Sequence, residues 1–155
     1  MTRAIIILSM LIFACSNAVS PHPPPDYRED IAATGTTITD VYTATVFMEQ
    51  FQYVSDGSYK FPTIEQCFDR GFRGDCKTSS VMAQWALGCA GKPSRIIILH
   101  HKGGSHAIVI TNDNRIMISG HTFGYLDKGA DWVAAACSFC GEYDYLMDRG
   151  KAMKP

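Results

Sequence analysis

Residues 70–78 read Arg-Gly-Phe-Arg-Gly-Asp-Cys-Lys-Thr, and this stretch opens the main predicted helix, which continues to Ala90 and ends at Gly91. Asp75 is a typical N-cap residue, because its carboxylate accepts hydrogen bonds from the backbone N–H groups of the first turn. Cys76 therefore stands at the helix N-terminus, where unpaired N–H groups and a partial positive charge favour a thiolate over a thiol. Since the thiolate is the nucleophilic form of cysteine, Cys76 is a candidate for covalent chemistry.

The sequence after this helix predicts strands. Aliphatic and β-branched runs cover residues 95–100, 105–111 and 115–119, and short turns containing Gly or Asn separate them. Three such runs predict an antiparallel meander. His106 stands at the head of the second run, so a strand can hold its imidazole beside a thiol on the preceding helix.

Helices are also predicted on the N-terminal side. Residues 40–53 carry apolar side chains at spacings of three and four, and residues 64–70 form a shorter helical segment. Further along, residues 128–140 are compatible with one more helix and residues 143–147 with a closing strand. Helices followed by a sheet favour an α+β fold over an alternating α/β fold.

The N-terminus has the parts of a secretory signal peptide in the required order. Arg3 provides the positive charge, residues 4–14 the apolar run, and small residues lead to Ala18. The apolar run is shorter than the ~20 residues that a spanning helix needs. We therefore predict a signal peptide over residues 1–18, in which Ile-Phe-Ala-Cys ending at Cys15 is similar to a bacterial lipobox.

The segment after the signal peptide predicts a tether. Residues 21–25 read Pro-His-Pro-Pro-Pro, which forms a stiff, extended spacer, so we assign residues 19–39 to a Pro-rich tether and 40–155 to the domain. Lipidation of Cys15 would give a membrane-anchored lipoprotein that contacts the membrane through its lipid. Ordinary cleavage after Ala18 would give a periplasmic or secreted protein, so both alternatives predict export.

Composition limits the classes of partner and cofactor. The chain has 155 residues, a length that suits one domain, and a net charge of −1 without a basic run, so no nucleic-acid partner is expected. Lipidation of one cysteine and catalysis by Cys76 would leave four cysteines, an even number that an oxidising compartment can close into two disulfides. These four are Cys67, Cys89, Cys137 and Cys140. No second C-x-x-C accompanies the last pair, so neither zinc nor another cofactor is expected.

The order of these motifs resembles the transglutaminase-like core of the papain-like cysteine peptidase superfamily. The resemblance spans residues 70–121 and comprises a G-x-C helix start, a G-K-P-S-R link at residues 91–95, and a strand that begins with His106-Ala107. It implies a papain- or transglutaminase-like fold, with N-terminal helices and the nucleophile helix packed on an antiparallel sheet. It also implies that Cys76 is the nucleophile and His106 the general acid/base.

The third catalytic residue departs from the family pattern. The family usually places an aspartate on the strand that follows the histidine, and His121, 15 residues after His106, occupies that offset here. His121 is therefore the expected third residue, as in NlpC-like peptidoglycan endopeptidases, which often use a histidine. Asp127 is the fallback. The backbone N–H of Cys76 is expected to bind the oxyanion together with a side-chain donor, for which Gln50, Gln52 and Gln66 are the candidates.

By resemblance, the chain is an exported cysteine peptidase or amidase that cleaves amide bonds of a peptide or protein, peptidoglycan included, through a Cys76 thioester. Water or an amine would resolve the acyl-enzyme, and hydrolysis is the favoured outcome. One alternative is an NlpC-like endopeptidase with a Cys-His-His triad. A second is a catalytically inactive envelope lipoprotein of the same fold that binds a wall peptide or a protein partner. A third is a small disulfide-stapled protein in which Cys76 pairs with Cys67 or Cys89.

Overall fold

The four helices of the described chain follow the local signals in the sequence. The computed structural model describes residues 35–55, 57, 60–101, 103–140, 145–148 and 151–153. The helices are α1 (Val41–Glu49), α2 (Ile64–Asp69), α3 (Cys76–Cys89) and α4 (Trp132–Cys140). Capping boxes open α1 and α2, and Asp75 caps α3 as predicted.

Three predicted features of the N-terminal part lie outside the described residues. They are the signal peptide over 1–18, the candidate lipidation site Cys15, and residues 19–34 of the tether. Within the described ranges, no helix is long and apolar enough to cross a membrane.

The first helix is shorter than the sequence pattern predicts. It ends at Glu49 because strand β1 (Gln52–Tyr53) pairs in parallel with β2 (Arg73–Gly74), the segment that leads into α3. The backbone N–H groups of Gln52 and Val54 donate to the carbonyls of Phe72 and Gly74, at 2.8 and 2.7 Å. This pairing fixes the chain immediately before Cys76.

A six-stranded antiparallel sheet occupies the C-terminal half of the described chain. Its strands are β3 (Ser94–His101), β4 (Gly104–Thr111), β5 (Ile116–Ser119), β6 (Thr122–Tyr125), β7 (Tyr145–Asp148) and β8 (Lys151–Met153), in the order β6-β5-β4-β3-β7-β8. The predicted meander is β3-β4-β5, and the closing strand β7 pairs with the other edge of β3. The chain is therefore an α+β protein in which helices precede most of the sheet.

Alternation along the strands divides the core into two clusters. Val109 and Ile118 pack with α1 and α3 on one face, whereas Ile108 and Met117 pack with residues of α4 on the other. On the first face, the rings of Phe47 and Trp85 lie 5.6 Å apart between centroids. Helix α3 thus packs on the antiparallel sheet, with α4 covering the opposite side.

The predicted disulfides do not form among the described cysteines, so that prediction is wrong for this structure. Cys67, Cys76, Cys89 and Cys137 are all free thiols, and the side chain of Cys140 lies outside the described part. Cys67 contacts the first turn of α3 through the Thr78 carbonyl, whereas Cys89 ends the same helix. At about 1.5 Å of rise per residue, one helix holds these two thiols too far apart to bridge. Cys137 packs with the cluster on the opposite face of the sheet.

Candidate active site

The turn before α3 is built to present Cys76. Asp75 Oδ1 accepts from the backbone N–H groups of Lys77 and Thr78, at 2.9 and 3.4 Å. Cys76 is the first residue of the helix and its side chain is buried, with 8% of its surface exposed. The thiol therefore sits where the helix dipole favours negative charge.

Gly74 is required two residues before the thiol because the chain passes close to the first turn of α3. A Cβ atom at this position would lie 2.5 Å from Oγ1 and 2.6 Å from Cβ of Thr78, which is itself fully buried. Its φ of 158° also lies in a region that favours glycine. The glycine of the G-x-C pattern thus has a packing reason.

A cleft of about 440 Å³ opens beside the thiol. One wall is the helix start, residues 75–77, and the opposite wall is the β3–β4 hairpin, with Ile98, His100 and residues 104–107. Ser55, Gly57 and Phe61 complete the lining. The structure therefore brings Cys76 and His106, the two residues implied by the resemblance, to one cleft.

His106 is half-buried on β4, and its ring is held by a serine on the neighbouring strand. The Nε2 nitrogen of His106 and the Oγ of Ser119 lie 2.7 Å apart. Residues paired across an antiparallel ladder share a sheet face, so His106 lies on the face of Leu99 and Ile108, which packs with α4 and not with α3. Within the described residues, no hydrogen bond joins Cys76 Sγ to His106. The imidazole of His106 therefore points away from the side of the sheet that carries Cys76.

The two candidates for the third catalytic residue do not lie beside His106. His121 is exposed in the turn between β5 and β6, and Asp127 is exposed after β6. Ser119 occupies the position beside the imidazole that the sequence pattern assigned to one of these residues. The signal for Ser119 was present in the strand alternation, since it shares a sheet face with Met117 and, across the pairing, with Ile108.

A second imidazole reaches the cleft from β3. His100 Nδ1 lies 2.7 Å from Ser105 Oγ, directly across the β3–β4 pair. Alternation places His100 on the same sheet face as Ala107, the face that packs against α3. His100, and not His106, is therefore the histidine whose side chain lies on the same sheet face as the helix that carries Cys76.

The phenol of Tyr53 is a further neighbour of the thiol that the sequence did not indicate. Partial burial raises its pKa, and the negative charges of Cys76 and Asp75 raise it further, while a hydrogen bond with the Cys76 backbone opposes them. Its position follows from the register that pairs Tyr53 with Gly74. The ring borders the backbone N–H that would bind a substrate oxyanion.

Two of the glutamines expected to bind the oxyanion are engaged elsewhere. The side chain of Gln50 donates to Thr36 Oγ1 at 3.0 Å, and Gln66 Oε1 accepts from the Thr63 backbone at 3.0 Å. Gln52 is exposed on β1. The described cleft lining contains none of the three glutamines.

Comparisons with protein-family models, curated proteins and solved structures found no match for this chain. Within the described residues, no three His, Cys, Asp or Glu side chains are grouped to hold a metal ion.

Proposed function

We propose that this chain is an exported transglutaminase-like cysteine hydrolase that cleaves amide bonds through a Cys76 thioester. The observation that carries the proposal is the shared cleft: a cysteine at a helix N-terminus lies opposite a hairpin whose His100 is held by Ser105 on the sheet face that packs with α3. A nucleophile, a base and a group that orients the base are the parts that covalent cysteine catalysis needs. The signal peptide predicted over residues 1–18 supports export.

The reaction follows from these positions. Cys76 transfers its proton to the imidazole of His100, and the thiolate attacks the substrate carbonyl carbon. The tetrahedral intermediate then collapses, the C–N bond breaks, and the His100 imidazolium gives its proton to the leaving amine. Water, deprotonated by the neutral imidazole, hydrolyses the thioester and releases the thiolate. Ser105 orients the ring throughout. His106, the base that the resemblance implies, would have to turn to the other face of the sheet to take this role.

The architecture supports the finer fold assignment. A nucleophile helix packs on an antiparallel sheet, the histidine lies on the second strand of the meander, and the G-K-P-S-R link joins α3 to β3. This order is similar to a papain- or transglutaminase-like core. We propose peptide amides of the cell envelope, peptidoglycan included, as the substrate class.

The test uses two small electrophiles at neutral pH. Iodoacetamide reports the thiolate, and p-nitrophenyl acetate reports acylation, with adducts located by peptide mass mapping. We expect a Cys76 thioester and selective alkylation of Cys76, both strongly slowed in His100→Ala and little changed in His106→Ala. Absence of any Cys76 adduct on the folded wild-type protein would overturn the proposal.

The orientation of His106 also favours a second candidate function. An imidazole on the sheet face opposite Cys76, with a neutral hydroxyl in place of the acid of the family, fits a catalytically inactive envelope protein that binds a wall peptide or protein in the same cleft. That candidate predicts no thioester with p-nitrophenyl acetate, while binding of peptide fragments would persist in Cys76→Ala.

A further inference from the structure

Lys77 is an unusual residue for its position. It is the second residue of α3, where the helix dipole disfavours a positive charge, and only 17% of its side chain is exposed. Lysine is almost never buried unless it is paired. A lysine buried against a helix N-terminus therefore needs a reason, and this one lines the cleft beside Cys76.

Asp75 holds this lysine in place. Its Oδ2 pairs with Lys77 Nζ, while its Oδ1 caps the helix through the backbone N–H groups of Lys77 and Thr78. The same carboxylate thus fixes the helix start and holds the ammonium of Lys77, a residue that lines the cleft. An ammonium has three N–H donors and can bind more than one acceptor at a time.

The position of Lys77 suits a hydrogen-bond donor to the oxyanion, a role that the glutamines do not fill. Tetrahedral intermediates of acyl transfer need a donor beside the backbone N–H of the nucleophile, and Gln50 and Gln66 are engaged with Thr36 and Thr63. Lys77 lies on the same helix turn as Cys76 and lines the same cleft.

We propose that the Lys77 ammonium, together with the backbone N–H of Cys76, binds the oxyanion formed during acyl transfer. This assignment rests on the function proposed above. When the Cys76 thiolate attacks, the C–S bond forms and the carbonyl π electrons move to oxygen. Lys77 keeps its proton and stabilises that charge, and the C=O bond then re-forms as the leaving group departs.

The experiment compares two reactions of the same thiol. Acylation by p-nitrophenyl acetate passes through an oxyanion and expels a phenolate that needs no proton. Alkylation by iodoacetamide displaces iodide and forms no oxyanion. Loss of thiolate slows both reactions equally, whereas loss of an oxyanion donor slows acylation alone, so the ratio of the two rates isolates the role of Lys77.

In Lys77→Met we expect the ratio of acylation to alkylation to fall about 10²-fold, the usual effect of removing one oxyanion donor. Lys77→Arg, which keeps a cation, should recover part of that loss. Lys92→Met makes the same charge change just beyond the other end of α3 and should leave the ratio unchanged. Circular dichroism checks folding, and Lys77→Gln replaces Lys77→Met if the latter does not fold.

Two results would overturn the assignment in distinguishable ways. An unchanged ratio in a folded Lys77→Met or Lys77→Gln variant, with wild-type protein that acylates normally, would show that Lys77 does not bind the oxyanion while the proposed function stands. Wild-type protein that alkylates but forms no thioester would overturn the proposed function, and the oxyanion role with it.

Discussion

The Nε2 nitrogen of His106 lies 2.7 Å from the Oγ of Ser119, on the sheet face that packs with α4 and away from Cys76. Ser119→Ala should therefore acylate Cys76 at close to the wild-type rate. Ser105→Ala, which removes the hydroxyl beside His100 Nδ1, should instead slow acylation about fivefold, since a hydrogen bond of this kind contributes about 1 kcal/mol. Thioester formation followed by mass spectrometry measures both variants.

His121 gives the contrasting test of the same site. If Ser105 orients His100, His121→Ala should acylate Cys76 faster than Ser105→Ala does, because His121 is exposed in the β5–β6 turn. The reverse order, with His121→Ala the slower variant, would favour the NlpC-like Cys-His-His alternative. Asp127→Asn tests the remaining residue in the same assay.

The start of α3 could be predicted from the sequence because its signals are local. Asp75 as the cap and Cys76 at the first helical position depend only on neighbours along the chain. The contact of Ser119 with His106 depends instead on the register of β4 and β5, which pairs Val109 with Ile118. A strand-to-strand register is a tertiary property, so counting residues from His106 could not reveal which side chain lies beside its ring.

The burial of Lys77 and the state of the cysteines escaped prediction for similar reasons. From the sequence alone, a lysine in the first turn of a helix is expected to be solvated. Only the packed cleft shows that most of the Lys77 side chain is covered. An even number of cysteines suggested disulfides, but Cys67 and Cys89 contact opposite ends of one helix. The distance between two cysteines depends on how the folded chain packs, and a count of cysteines gives no information on packing.

The thiols of Cys67 and Cys89 should react more slowly than the thiol of Cys76. Burial raises the pKa of Cys67 to about 12 and that of Cys89 to about 11, so both remain protonated near pH 8. Since the thiolate is the reactive form, iodoacetamide at pH 8 should label Cys76 well before either of them. Peptide mapping over a time course measures the three rates. Comparable labelling of Cys67 in folded protein would contradict this prediction, and labelling in denaturant serves as the control.

The same shift makes stability depend on pH in the alkaline range. The Cys67 thiol ionises near its ordinary value in the unfolded chain but only near pH 12 in the folded protein, so the unfolded state binds fewer protons between these values. The free energy of unfolding should therefore fall as the pH rises from about 9 towards 12. Because other groups titrate in this range, the measurement compares urea unfolding of the wild type and Cys67→Ala. Below this pH range the variant should have the lower free energy of unfolding, since its core loses volume. As the pH rises, that free energy should fall less steeply in the variant than in the wild type. If the free energy of unfolding fell equally steeply with pH in both proteins, this pH dependence would not come from Cys67.

An added methyl group at Gly74 should disturb both the start of α3 and the position of Cys76. The added Cβ would lie 2.5 Å from Thr78 Oγ1, so Gly74→Ala should destabilise the protein by about 1–3 kcal/mol, the usual cost of overpacking, and slow acylation of Cys76. Urea unfolding and the p-nitrophenyl acetate assay measure the two effects.

Two further variants separate this clash from a general effect of removing glycine. Gly88, inside α3, has open space around an added Cβ, so Gly88→Ala should stabilise the protein by about 0.5–1 kcal/mol. Thr78 Oγ1 is buried without a hydrogen-bond partner among the described residues, so its removal is inexpensive. Gly74→Ala combined with Thr78→Ala should therefore be more stable than Gly74→Ala alone. If the double variant gains nothing, the loss comes from the backbone at φ 158° and not from the contact with Thr78.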